Sequence, residues 1–400
     1  MSRAVASLAW AMTVVSMPAV AQRAAENAVA SASDAFGGAV GTETTGIYSD
    51  TDVRGFNPQK AGNARLEGVY FDQVAALSGR VKQSNTIRVG FAALDYPFPA
   101  PTGIVDYRLR TAGNESILST NMSLTAYGGT ILEADFQQPL IKDHLSIVAG
   151  IGYGQIQYPD GAQLENFAWG VRPRIRFNDI EVQPFYSHFK TRNADVRPII
   201  RASGPYLPAL IAGDAYLGQP WAQSESNNIN YGMSVRARLS DHFTLRGGAF
   251  RSRIEKARNF TEIFNVIDPN GLSDHVLFAD PEQNVTSDSW ETTLTWDSGE
   301  SDLRNVVWLG ARGRSRTTET GGSDIRNFGQ VMLGARDIEA LPAFVFSPVS
   351  VGEVEQTHYM LGYLVRKRGL GQINFGAQRA AYDANFRSSA GRTSSSADPW

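Results

Sequence analysis

From about residue 117 onward, apolar and polar residues alternate one by one in runs longer than a soluble sheet needs. In FAWGVRPRIRF, one face takes Phe167, Trp169, Val171, Pro173, Ile175 and Phe177. The other takes Ala168, Gly170, Arg172, Arg174 and Arg176. INYGMSVRARL repeats the pattern, with Tyr231, Met233 and Leu239 opposing Asn230, Ser234 and Arg236. In WETTLTW, Trp290, Leu294 and Trp296 oppose Glu291, Thr293 and Thr295. Period-two alternation puts one face in an apolar medium and one in a polar medium. Soluble strands average about five or six residues, whereas a strand tilted across a bilayer needs about 9–11. The length of these runs favours a membrane barrel over a sandwich.

The connections carry the second signal. Short polar turns are predicted at Lys142-Asp143, Asn178-Asp179, Ser240-Asp241, 297–302 and Arg368-Gly369. Between them fall Gly128-Gly129, 159–163 and three long connections near 193–226, 257–286 and 318–354. Short and other connections alternate without a slip, as in an up-and-down barrel with tight inner turns and longer outer loops. About eleven strands are expected, roughly 117–127, 131–140, 144–158, 163–177, 180–192, 228–240, 243–256, 287–298, 303–317, 355–367 and 371–384. Pro173 and Pro184 fall inside strand runs, where each removes a ladder donor. Arg172, Arg174 and Arg176 either line a wet lumen or pair with something inside it.

Composition agrees with this class. The chain has 400 residues, 38 Gly, 20 Phe, 14 Tyr and 7 Trp. Glycine and aromatics together suit twisted sheet with tight turns and aromatic girdles. The net charge of −3 gives no basic footprint for nucleic acid. Cysteine is absent, which excludes disulfides and thiolate metal sites. The first residues, MSRAVASLAWAMTVVSMPAVAQ, have a basic start, an apolar stretch and Ala19-Val20-Ala21 before Gln22, so residues 1–21 read as a secretory signal peptide.

No catalytic or metal pattern emerges. His144, His188, His242, His275 and His358 are scattered without metal-pair spacing. DTDVRG mimics a calcium-loop start, but Arg54 stands at a ligand position and Ala61 where the bidentate Glu belongs. No enzyme activity, cofactor or resident metal is expected.

Residues 22–115 form a different unit, a small α+β domain ahead of the barrel strands at 116–400. They carry turn signals at Asn57-Pro58, Ala61-Gly62-Asn63 and 97–103, and short apolar runs at 66–71 and 87–94. Val53-Arg54-Gly55 is followed by Leu66-Glu67-Gly68-Val69, and then by Ile87-Arg88-Val89-Gly90, Tyr96 and Gly103-Ile104-Val105-Asp106-Tyr107. In order and spacing this series resembles the plug domain of TonB-dependent outer-membrane receptors. The resemblance covers about residues 34–110 by motif and the rest by architecture.

The resemblance implies an outer-membrane receptor of a Gram-negative bacterium. It implies active uptake of a scarce bulky ligand, foremost an iron–siderophore chelate. Arg54, Gly55, Glu67 and Gly68 would hold plug and barrel together. Ligand would meet the plug apex and outer loops, with candidate contacts at Asn57, Gln59, Asn63, Tyr96, Phe98, Tyr206, Trp221, Phe344 and Phe346. Lipid and a TonB-type energy-coupling protein would be partners, although ENAVASASDAF offers no clear coupling box and Gly90 is followed by Phe91 rather than proline. Plugged barrels use about 22 strands, so about eleven strands make half of one. The polar end TSSSADPW is not expected to form a closing strand, and the sequence reads as part of a longer receptor. A passive outer-membrane pore and a soluble secreted β-rich binding protein are the alternatives.

Overall fold

The structure is a computed structural model describing residues 29–34, 37–41, 51, 57–93, 96, 103–208, 210–211, 213–299, 302–335 and 337–399, with backbone only for 29–41 and 91–92. The signal-peptide segment, Arg54, Gly55 and Phe98 lie outside the described residues.

The first six strands are β1 (Val29–Asp34), β2 (Gly37–Gly41), β3 (Ala64–Leu66), β4 (Val69–Tyr70), β5 (Lys82–Arg88) and β6 (Ile104–Leu109). They make one small sheet in the order β2-β1-β5-β6-β3-β4. Among the described residues this unit has a 3-10 turn at Gly90–Ala93 and no α-helix, so the expected α+β character reduces to sheet and turns.

The wall follows: β7 (Ile117–Leu124), β8 (Thr130–Ile141), β9 (Leu145–Gln157), β10 (Gln163–Phe177), β11 (Ile180–Asp195), β12 (Ile199–Ala202), β13 (Gln223–Arg238), β14 (Phe243–Val266), β15 (Leu272–Asp280), β16 (Gln283–Asp297), β17 (Leu303–Thr320), β18 (Asp324–Met332), β19 (Ser350–Lys367), β20 (Gly371–Ser388) and β21 (Gly391–Ala397). The main path runs β7-β8-β9-β10-β11-β13-β14-β16-β17-β19-β20-β21, every neighbour antiparallel. It holds one more strand than expected. The extra strand, β21, is the polar tail GRTSSSA, which pairs with Tyr382–Ser388 while all its side chains stay exposed. Backbone pairing alone makes it a strand, so no alternation marks it.

The long outer connections are also more ordered than expected. β14 continues past the wall, and its outer part pairs with β12 and β15; β15 pairs in turn with β18. Leu277 and Ala279 of β15 and Ala222 make a buried apolar core there, with Trp221, Phe260, Phe328 and Phe344 packed around it.

The wall is turned inside out relative to a soluble protein. Its outward side chains are large, apolar and exposed, among them Phe136, Ile151, Ile175, Met233, Leu309, Leu361 and Phe375. Its inward ones are polar and buried, among them Arg172, Ser187, Asn230, Ser252, Ser287 and Glu291. Such a distribution suits a wall with lipid outside and protein inside. The two prolines explain a break in the ladder. β10 and β11 pair from Glu165–Arg192 to Val171–Tyr186 and resume at Ile175–Val182. Pro173 and Pro184 stand opposite each other in that gap, so both missing donors fall at one place. Each still aligns with its other neighbour, Pro173 with Ile147 and Pro184 with Met233.

Candidate functional site

The small sheet lies against the inner face of the wall, and their shared boundary is the candidate site. Its apolar part joins Leu66, Val69, Phe71, Leu77, Val81 and Ile87 of the plug to Phe185 and Phe250 of the wall. The Phe71 and Phe250 rings meet edge to face at 5.5 Å. Three wall glycines give the plug room to approach. A Cβ at Gly170 would come 2.5 Å from Val81 Cγ1, one at Gly248 3.2 Å from Val69 Cγ1, and one at Gly150 3.0 Å from Arg80 Cβ.

The polar part is a hoop. Asp135, Gly150, Gly170, Ser187, Asn230, Ser252 and Ser287 are direct cross-strand partners, one from each of seven consecutive wall strands. Plug residues 72–81 run along this row. Ser287 Oγ donates to Asp72 Oδ2 at 2.7 Å, and Arg314 Nη1 pairs with Asp72 Oδ1 at 3.0 Å. The backbone amides of Val74 and Ala75 both donate to Ser252 Oγ at 3.0 Å. The Ala76 amide donates to Asn228 Oδ1, and Asn230 Nδ2 donates back to the Ala76 carbonyl. The Ser78 amide donates to Ser187 Oγ at 2.8 Å. Arg80 closes the run on Glu133 and Asp135, at 2.6 and 2.9 Å. The segment therefore advances about one wall strand for every two residues, and the amides of Asp72, Val74, Ala75, Ala76 and Ser78 are satisfied by wall side chains instead of by a sheet.

Glu67 and Gly68 occupy the turn between β3 and β4, both with positive φ, +54° and +78°. Glu67 Oε1 accepts the Leu109 amide at 2.7 Å and lies 3.4 Å from Nη2 of buried Arg172. Arg172 also donates to the Arg110 carbonyl at 2.5 Å and to Gln183 at 2.6 Å. The lumen-facing arginines thus differ in role: Arg172 reaches the plug, while Arg174 and Arg176 both bind Glu181 within the wall. Beside the turn, Arg65 enters the wall and pairs with Glu291 at 2.9 Å, both side chains nearly fully buried. Arg312 lies 4.8 Å from the centre of the Tyr70 ring.

The expected ligand contacts divide. Asn57, Gln59 and Asn63 belong to one turn of the plug: Asn57 Oδ1 caps the Lys60 amide, Gln59 Nε2 donates to Tyr107 Oη at 2.7 Å, and the Asn63 amide donates to the Pro58 carbonyl. Tyr96 was expected among the outer contacts. It lies instead near the short-turn end, donating to Asp106 Oδ2 at 2.9 Å between the guanidinium groups of Arg65 and Arg88. Burial and the Asp106 carboxylate push its phenol well above the usual range, so it acts as a neutral donor. Trp221, Phe344 and Phe346 gather in the outer-loop sheet with Phe260, where Trp221 Nε1 donates to the Glu339 carbonyl. Tyr206 Oη donates to the Val266 carbonyl at 2.8 Å. Sequence reasoning did not single out the hoop or the Arg65–Glu291 pair. Their only signal is a small polar residue or an acid at mid-strand on the lumen face.

No protein-family model and no curated protein matches the sequence. Solved structures do match. The chain is similar to the ferric preacinetobactin receptor BauA of Acinetobacter baumannii, at 12% identity and TM-score 0.69, over 84% of this chain and 52% of that one. It is similar to the siderophore receptor PiuA of the same species, at 13% and 0.69, over 87% and 54%. It is also similar to the open form of the ferric-catecholate import receptor Fiu of E. coli, at 13% and 0.67, over 84% and 59%. The chain spans a little over half the length of these structures. It has the fold of the TonB-dependent siderophore receptors, a plug seated against part of a transmembrane barrel.

Proposed function

We propose that this chain forms the plug and part of the barrel of a Gram-negative outer-membrane receptor that imports a ferric chelate. The observation that carries the reading is the plug, clasped by a wall that is apolar outside and polar within. A soluble binding protein would not expose the apolar residues of the outward face to water. The names of the similar structures, receptors for ferric preacinetobactin and ferric catecholates, support an iron chelate as cargo. The chemistry is binding and passage, not catalysis; an iron chelate brings its own ligands and asks for no metal site in the protein. Energy from a TonB-type partner belongs to this reading.

The test is uptake of radioactive iron as ferric catecholate, ferric hydroxamate and ferric citrate by cells with and without the gene. Gene-dependent accumulation of one chelate is expected. No change for any chelate, with steady ion conductance by the purified protein in planar bilayers, would replace the receptor by a passive pore.

A further inference from the structure

At the short-turn end, plug and wall line a half-open chamber of about 430 Å³. Six arginines line it: Arg88, Arg108, Arg236, Arg246, Arg304 and Arg366. Three carboxylates line it too, and each has a partner, although the buried Oε2 of Glu291 has none. Asp106 accepts from the Gly68 amide and Tyr96 Oη, Glu291 pairs with Arg65, and Asp297 pairs with Arg304. Arg366 is bonded to Gln372, and Arg88 lies over the Tyr96 ring. Arg108 has only long contacts, 3.5 Å to Glu67 and 3.9 Å to Asp106.

Arg236 and Arg246 stand apart. They are direct cross-strand partners on β13 and β14. Like charges placed so, about 5 Å apart at Cβ, oppose folding. Among the described residues, neither forms a hydrogen bond or an ion pair. Glu181 is the neighbour of Arg236 on its other side, but it is held by Arg174 and Arg176. Arg246 also approaches the plug. Its Nη1 lies 2.7 Å from where a Cβ on Gly68 would stand, so the guanidinium reaches the β3–β4 turn itself. The next residue in the row, Thr293, has a buried hydroxyl without a partner. Two guanidinium forks and a hydroxyl thus line one side of the chamber with no anion among them. Guanidinium forks match tetrahedral oxyanions in shape and charge.

We propose that Arg236 and Arg246, with Thr293 beside them and Arg108 from the plug, bind a free oxyanion of phosphate or sulfate size in this chamber. Bound there, the anion would turn a repulsive pair into a clamp joining two wall strands to the β3–β4 turn of the plug.

The probe is inorganic phosphate, added to the detergent-solubilised full chain at constant ionic strength set with sodium chloride. Thermal unfolding and the phosphorus-31 linewidth are followed together. Phosphate should raise the melting temperature saturably and broaden the resonance. Arg236→Gln should weaken half-saturation at least tenfold while leaving the phosphate-free chain as stable as the parent or more so. Arg236→Glu should abolish the phosphate response and raise phosphate-free stability, because it gives Arg246 an internal carboxylate. Phosphate responses unchanged in both variants, or no saturable response in the parent chain, would overturn the proposal.

Discussion

Removing one hydroxyl from the hoop should loosen a defined part of the plug. Ser252 accepts the amides of both Val74 and Ala75, and it is buried at 1% exposure. Ser252→Ala leaves both donors without an acceptor, and the lost volume is too small to admit water. A buried donor left unpaired costs about 1–3 kcal/mol, so the two together cost about 2–6 kcal/mol. Local opening of residues 72–80 should then become roughly 30-fold easier at the lower bound. Ser187→Ala orphans a single donor, the Ser78 amide, and should cost about half as much. Hydrogen exchange resolved to single amides in detergent micelles is the assay. Val74 and Ala75 should exchange faster in Ser252→Ala, Ser78 in Ser187→Ala, and the wall strands in neither. Unchanged exchange at all three amides would show that the wall hydroxyls do not hold this segment.

Arg65→Met strands buried Glu291 and should destabilise the docked plug by about 3–5 kcal/mol. Adding Glu291→Leu should recover most of that in a double-mutant cycle of chemical denaturation, and a coupling near zero would dismiss the pair. Gly170→Ala places a Cβ 2.5 Å from Val81 Cγ1 and 2.9 Å from the Tyr186 carbonyl, an overpacking of about 1–3 kcal/mol. Faster tryptic cleavage after Arg80 is the expected sign, and parental resistance would count against close docking at that strand. Burial and then the Asp72 carboxylate push the Tyr70 phenol up to about 12. Its stabilisation is whole below about pH 10 and lost as the pH rises to about 12, so Tyr70→Phe should remove about 3 kcal/mol of alkaline destabilisation. Denaturation midpoints compared across that window decide it, and equal alkaline losses in both proteins would refute the assignment.

The wall was legible because its two media write a period-two code. Phe167 and Ile175 face out and Arg172 faces in, as the alternation requires. The inward partners were not legible. A lumen serine such as Ser252 reads like any solvated serine until the plug is laid across it. Glu67 and Arg172 each stood out alone, but they are 105 residues apart, and only the folded plug brings them together. The outer part of β14, RNFTEIFNV, was read as loop because its support comes from β12 and β15, which are themselves loop segments. β21 escaped notice because neither of its faces is buried.

The hoop also sets how the plug would yield to force. Its contacts lie in series around the lumen, one wall strand after another, instead of side by side. Once the contacts before it, Arg65 with Glu291, Glu67 with Arg172 and Phe71 with Phe250, have given way, a pull from the N-terminal side loads the first clasp of the hoop alone, the one made by Ser287, Ser289 and Arg314. Once that opens, the load passes to Ser252, then Asn228 and Asn230, then Ser187. The segment would peel like a zip, at a force set by its strongest single clasp. The same bonds loaded together would resist as their sum. Within the hoop the charged clasp at Asp72 is therefore the first barrier, and the hydroxyls behind it govern how far the opening runs.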